Sequence, residues 1–166
     1  MRAISLWQPW ATAVARGSKR IETRHWSTAY RGPLAIHAAK RFVRSELRAY
    51  HGDPAWRAAM GWTDRNCFAQ AEEMPFGALI AVTSIVDCLP VERIDRALLD
   101  TPRHPMPSDG VAGEWTERLM GDFSPGRFGW ILGDVAELLH PIPFRGAQSF
   151  FNVPDELLPQ AARGRA

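Results

Sequence analysis

Ten residues, Gly77 to Val86 (GALIAVTSIV), constrain the fold of this chain most strongly. The run is almost continuously apolar and rich in β-branched side chains. A run of this length and composition reads as a strand, and with no polar face it must be covered on both sides. The chain therefore needs a sheet with material packed on both faces. The remaining segments have to fit around that requirement.

Those segments are short, cut by thirteen glycines and thirteen prolines. Ala3–Leu6, Leu34–Ala39 and Gly126–Leu132 read as strands, and Gln148–Val153 adds a last short one. Val135–His140 is a further strand, reached through Gly133-Asp134 as a tight hairpin turn. Pro9 opens a helix of two turns, with Trp10, Ala13 and Val14 at helical spacing, and Gly17 closes it. Between about 42 and 76 the pattern turns helical. Ser45 can cap a turn from Glu46 to Tyr50, and Pro54–Met60 and Asp64–Glu73 form two short helices separated by Gly61. Pro90 starts an amphipathic helix carrying Val91, Ile94 and Leu98. The stretch 101–113, with three prolines and two glycines, is loop. The expected fold is α+β: a small, partly open β-barrel with short helices packed around it. One domain is expected over 1–158, with a helical insertion at about 42–76 and a loose tail over 159–166.

Several classes fall away. No apolar run approaches the roughly 20 residues a bilayer span requires, and the start lacks the pattern of a signal peptide. Cys67 and Cys88 make neither a disulfide framework nor a metal-ligand spacing. The histidines have no metal-binding spacing either. A cytoplasmic protein without metal or cofactor is expected; oligomeric state is left open.

Charge is distributed unevenly. Residues 1–50 hold ten Lys and Arg against two Asp and Glu, a net of +8. Residues 51–166 hold ten against sixteen, a net of −6. The basic third suits an anionic partner such as nucleic acid; the alternative is neutralisation within the fold. Only two lysines, Lys19 and Lys40, stand among eighteen arginines. A lysine kept in such a chain points to a need for a compact ammonium that arginine cannot supply.

The motifs SLWQPWA (Ser5–Ala11), GSKRIETR (Gly17–Arg24), YRGPLAIHAAK (Tyr30–Lys40), GALIAVTSIVDC (Gly77–Cys88), GRFGWIL (Gly126–Leu132) and PIPFRGAQSFF (Pro141–Phe151) follow one another along most of the chain. In this order they resemble the ASCH family, the domain named for its homology to activating signal cointegrator 1. The resemblance implies a PUA-like β-barrel and a nucleic-acid-binding module, RNA before DNA. Some members are amidohydrolases on a modified cytidine, and some are described as ribonucleases.

Two functions are carried forward. In the first, a cleft beside the barrel recognises single-stranded RNA or a modified nucleotide. Lys19 or Arg24 would hold a phosphate, and Glu22 would accept from a base's exocyclic amine. Trp7 would stack and Gln8 would read a base edge. Lys40 would extend the basic surface, with His37 and Arg127 beside the cleft and Tyr30 as a further contact. Glu114 is a secondary candidate. Each has a structural alternative: surface ion pairs for the charged set, a satisfied strand residue for His37, and core for Trp10. In the second function the chain is a small hydrolase. The amidohydrolase relatives match Lys19 but place a threonine nucleophile three residues on, where this chain has Glu22; Thr23 is one step out of register. Catalysis would then rest on Lys19 and Glu22, with Tyr30 and His37 joining them in a ribonuclease. A protein-interaction domain is the third possibility. Strict alternation along an extended Lys19–Arg24 puts Glu22 and Arg24 on one side and Lys19 on the other.

Overall fold

The computed structural model describes residues 1–41, 50, 52–62, 73–104 and 114–158. The turn expected at Glu46–Tyr50 (but for its last residue), almost all of the helix expected at Asp64–Glu73, residues 105–113 of the loop and the tail from 159 lie outside them. The apolar run becomes β4, thirteen residues long (Ala78–Pro90). One edge of β4 takes β3 (Gly32–Ala38), antiparallel. The opposite edge is shared by two strands in succession. β6 (Ala136–Pro143) pairs along Ala78–Val82, and β5 (Phe128–Leu132) along Ile85–Pro90. The first half of β4 thus has a strand on each side and buried residues on both faces, which accounts for its lack of polar alternation. A register shift at Leu79/Ala81 interrupts the pairing with β6, and one at Ile85/Asp87 falls where β5 joins.

β1 (Arg2–Leu6) lies parallel to β3, and β7 (Phe151–Asn152) adds antiparallel to β1. β2 (Ile21–Arg24) pairs with β5. The order is β2-β5-β4-β3-β1-β7, with β6 branching from β4. The α+β class is as expected, while closure into a barrel is not seen. Among the described residues no pairing joins β2 to β7, so the seven-stranded sheet stays open. The terminal strands are four and two residues long, too short to carry a closing ladder. The hairpin expected at Gly133-Asp134 is also absent, because β5 and β6 each pair with β4 rather than with one another. Gly133 is needed for a different reason. It crosses directly over β4, its N–H donating to Ser84 O at 2.9 Å, and a Cβ there would stand 2.5 Å from Ser84 Oγ.

α1 (Trp10–Ala15) covers the sheet, its Ala11 and Val14 joining Ile4, Leu6, Leu34, Ile36, Ile80 and Trp130 in the main core. Its other side meets α2 (Pro54–Met60), which has the bounds its punctuation predicts. Asp53 accepts from Ala55 N and Trp56 N, Pro54 occupies the first turn, and Gly61 ends the helix at φ +62°. Trp56, Met60, Trp62, Trp115 and Met120 form a second cluster around Ala13. Trp10 packs edge-on against Tyr50 and Trp56 in that cluster. The described part of the insertion therefore rests on α1. The helix expected from Pro90 is split. Val91–Arg93 forms one 3-10 turn, and Asp95 then caps α3 (Arg96–Asp100) by accepting from Ala97 N. The split buries Leu99 and leaves Leu98 exposed. No helix among the described residues is long and apolar enough to cross a membrane.

Candidate nucleic-acid interface

A cleft of about 550 Å³ opens between the C-terminal end of β1, the start of α1, β2 and the segment Leu119–Asp122. Lys19, Glu22, Arg24, Trp7 and Arg127 all line it, together with Ser5 and Trp10. Glu22 lies between two cations. Lys19 Nζ is 3.4 Å from Oε2, and Arg24 Nε is 3.0 Å from Oε1. The Arg24 contact is a charge pair without hydrogen-bond alignment, since the buried Nε finds no acceptor along its N–H. Arg24 Nη2 donates to Ser5 O at 3.2 Å.

Strict alternation fails at Lys19 because the residue precedes β2 and is free of its pleat. Its side chain, 1% exposed, turns inward. The ammonium donates to Ile21 O at 2.5 Å and to Met120 O at 2.7 Å, so three groups meet one compact cation. Arginine's planar fork has the wrong shape for this position.

The part of the site that sequence reasoning missed is Glu117, wholly buried on the 3-10 turn Glu117–Met120. Its carboxylate accepts from Arg20 N (3.0 Å) and Ile21 N (2.8 Å) and pairs with Arg103 Nη2 at 2.9 Å. Arg103 Nη1 and Trp115 Nε1 both donate to Ser18 O. Three side chains remote in sequence therefore hold the Ser18–Ile21 turn from behind and set the direction in which Lys19 enters the cleft. Glu114, by contrast, is exposed and lies 3.7 Å from His104.

The other expected residues fall elsewhere. Gln8 is buried. Its Nε2 donates to Pro75 O and its Oε1 accepts from Thr12 N, so both ends of the amide already serve the fold. Trp7 is 53% exposed at the rim, with the Arg41 guanidinium 4.1 Å from its ring. Tyr30 lies away from the cleft, its hydroxyl donating to Pro33 O and its ring edge-on to Phe150. Arg127 reaches Asp122 at 3.3 Å, and hydrogen bonds from Ser124 hold the Asp122 carboxyl below its ordinary value. His37 and Lys40 line a second cleft beyond Ser5.

His37 is buried between Ser5 Oγ, 3.0 Å from Nδ1, and Phe144 O, 3.0 Å from Nε2. A carbonyl can only accept, so Nε2 carries the proton and Nδ1 accepts from the serine. Burial pushes the imidazole pKa below 6.5, partly opposed by the Phe144 bond. The unfolded chain therefore binds this proton more readily than the folded one in the window just below pH 6.5. Stability is lost as pH falls through that window and is flat above it. Urea midpoints at pH 5.5 and 7.5 should differ in this sense, and His37→Gln should shrink the difference; an equal difference in the variant would remove His37 as its source.

Sequence comparison places these features in a family. The chain matches the ASCH domain over residues 4–121. It belongs to the ASCH domain family. ASCH domains are generally RNA-binding. The chain is 33% identical over 90 residues to activating signal cointegrator 1 of Homo sapiens, and equally to that of Mus musculus. The match covers 52% of this chain but only 14% of the length of either relative. Every residue lining the first cleft lies within the ASCH match except Asp122 and Arg127. In this ASCH domain Glu22 lies between its two cations. The hydroxyl of neighbouring Thr23 accepts from Asp122 N at 3.0 Å. Each Glu22 oxygen faces one cation and keeps lone pairs toward the cleft, while the Thr23 hydroxyl oxygen is engaged by the backbone.

Proposed function

We propose that this ASCH domain binds single-stranded RNA or a modified nucleotide, with one nucleotide seated in the first cleft. The observation that carries this reading is the Lys19–Glu22–Arg24 arrangement, set in a cleft whose volume falls in the range of small-ligand sites. Glu22 offers its remaining lone pairs to an exocyclic amine, while Arg24 and Arg127 face a phosphate or a base carbonyl. Trp7 supplies a flat apolar surface at the rim, and its ring can take a base in place of the Arg41 guanidinium.

Binding of a fluorescent single-stranded RNA pool, followed by anisotropy at several salt concentrations, tests this. Trp7→Ala should weaken binding by about 5- to 150-fold, the range expected for one lost stacking contact. Arg24→Ala should reduce the slope of log affinity against log salt by about 0.7, one phosphate on a single strand. Wild-type affinity for both variants, with an unchanged slope, would rule the cleft out.

A further inference from the structure

The second cleft, about 880 Å³, shares Ser5 of β1 with the first. Its lining contains no Asp or Glu. Lys40 and Arg145 stand there exposed, and neither has an ion-pair partner among the described residues. In the first cleft, Glu22 and Asp122 offset most of the positive charge. The second cleft leaves two cations uncompensated, beside the rings of Phe76 and Phe144 and the amide of Gln148. Cations free to meet phosphate, next to aromatic faces, are what a single-stranded nucleic acid requires of a protein surface.

The wall between the clefts is firmly set. Ser5 is held from the first side by Arg24 on its carbonyl and from the second by His37 on its hydroxyl. Gly146 closes over this pair so tightly that a Cβ there would stand 2.5 Å from both His37 Nδ1 and Ser5 Oγ. Ser5 lines both clefts, so neighbouring nucleotides of one strand can reach one cleft each. Trp7 lines the first cleft, and the Arg41 guanidinium over its ring belongs to the residue next in sequence to Lys40 of the second.

We infer that the second cleft is a second nucleotide subsite, so that the ligand is an oligonucleotide crossing β1 rather than a lone nucleoside. This rests on the first cleft binding RNA and adds that Lys40 and Arg145 hold the phosphodiester next to the recognised nucleotide. The probes are a pool of RNA tetranucleotides and the four 5′-mononucleotides, titrated against wild type, Arg24→Ala and the double variant Lys40→Ala/Arg145→Ala. Wild type should prefer the tetranucleotides by about tenfold or more. The double variant should bring that preference down toward one and flatten the tetranucleotide salt slope by about 1.4, two phosphates' worth. Arg24→Ala should weaken both probes. If the double variant keeps the full preference and slope while Arg24→Ala weakens both probes, the second subsite is wrong and the first cleft stands. If wild type binds neither probe, both readings fall. Circular dichroism of the double variant establishes that it is folded, and its two substituted residues are surface-exposed.

Discussion

Glu117→Ala should cost about 3 kcal/mol of folding stability, read as a lower urea midpoint. Removing one member of a buried ion pair is expected to cost about 3–5 kcal/mol, and Arg103 is partly solvated, which places the loss at the lower end. The two backbone N–H groups of Arg20 and Ile21 lose their acceptor in the same step. Glu117→Gln keeps a carbonyl for them and should lose about half as much. RNA affinity should fall in both variants even where the protein is fully folded, because the turn that aims Lys19 is no longer held. A loss below about 1 kcal/mol for the alanine variant would show that Arg103 and Trp115 hold the turn without it.

Lys19→Met should be comparably damaging, by about 3 kcal/mol, for a different reason. The substitution fills the space but leaves Ile21 O and Met120 O without their donor and Glu22 facing Arg24 alone. Adding Glu22→Gln should recover part of the loss, giving a coupling of about 1 kcal/mol or more in a double-mutant cycle. Strict additivity would show that the Lys19–Glu22 contact at 3.4 Å contributes nothing. Lys19→Arg should also destabilise. In a chain that uses arginine eighteen times and lysine twice, one of the two lysines fills a buried position that demands a small cation.

Much of the architecture was legible because it is written locally. The apolar run marked β4, and Pro54 and Gly61 bracketed α2 at its observed limits. Trp10's helical spacing pointed to core; the residue is half-buried, packed against the second cluster while also lining the first cleft. What escaped was set by distant partners. Nothing near Glu117 announces that its carboxylate caps a turn almost a hundred residues earlier. Gln8 sits among aromatic residues as a base reader would, and only the fold brings Pro75 O to its amide. The β5–β6 hairpin was a sound local inference, overruled because β4 is long enough to take both strands on one edge. His37 and Lys40 end a strand that approaches the first cleft, but Ser5 stands between, and that partition exists only in three dimensions.

The placement of β7 has a consequence for how the molecule is made. Arg2 pairs with Asn152, so β1 waits for β7, far later in the chain, before its outer edge is covered. Pairing across such a separation is slow, because a long loop must close before any contact rewards it. The first cleft is lined by residues up to Arg127 and backed by β5, which ends at Leu132, whereas the second needs the segment from Pro143 to Gln148. During vectorial synthesis the two clefts therefore mature in order. A nascent chain can shape the first cleft while the segment that lines the second is still inside the ribosome.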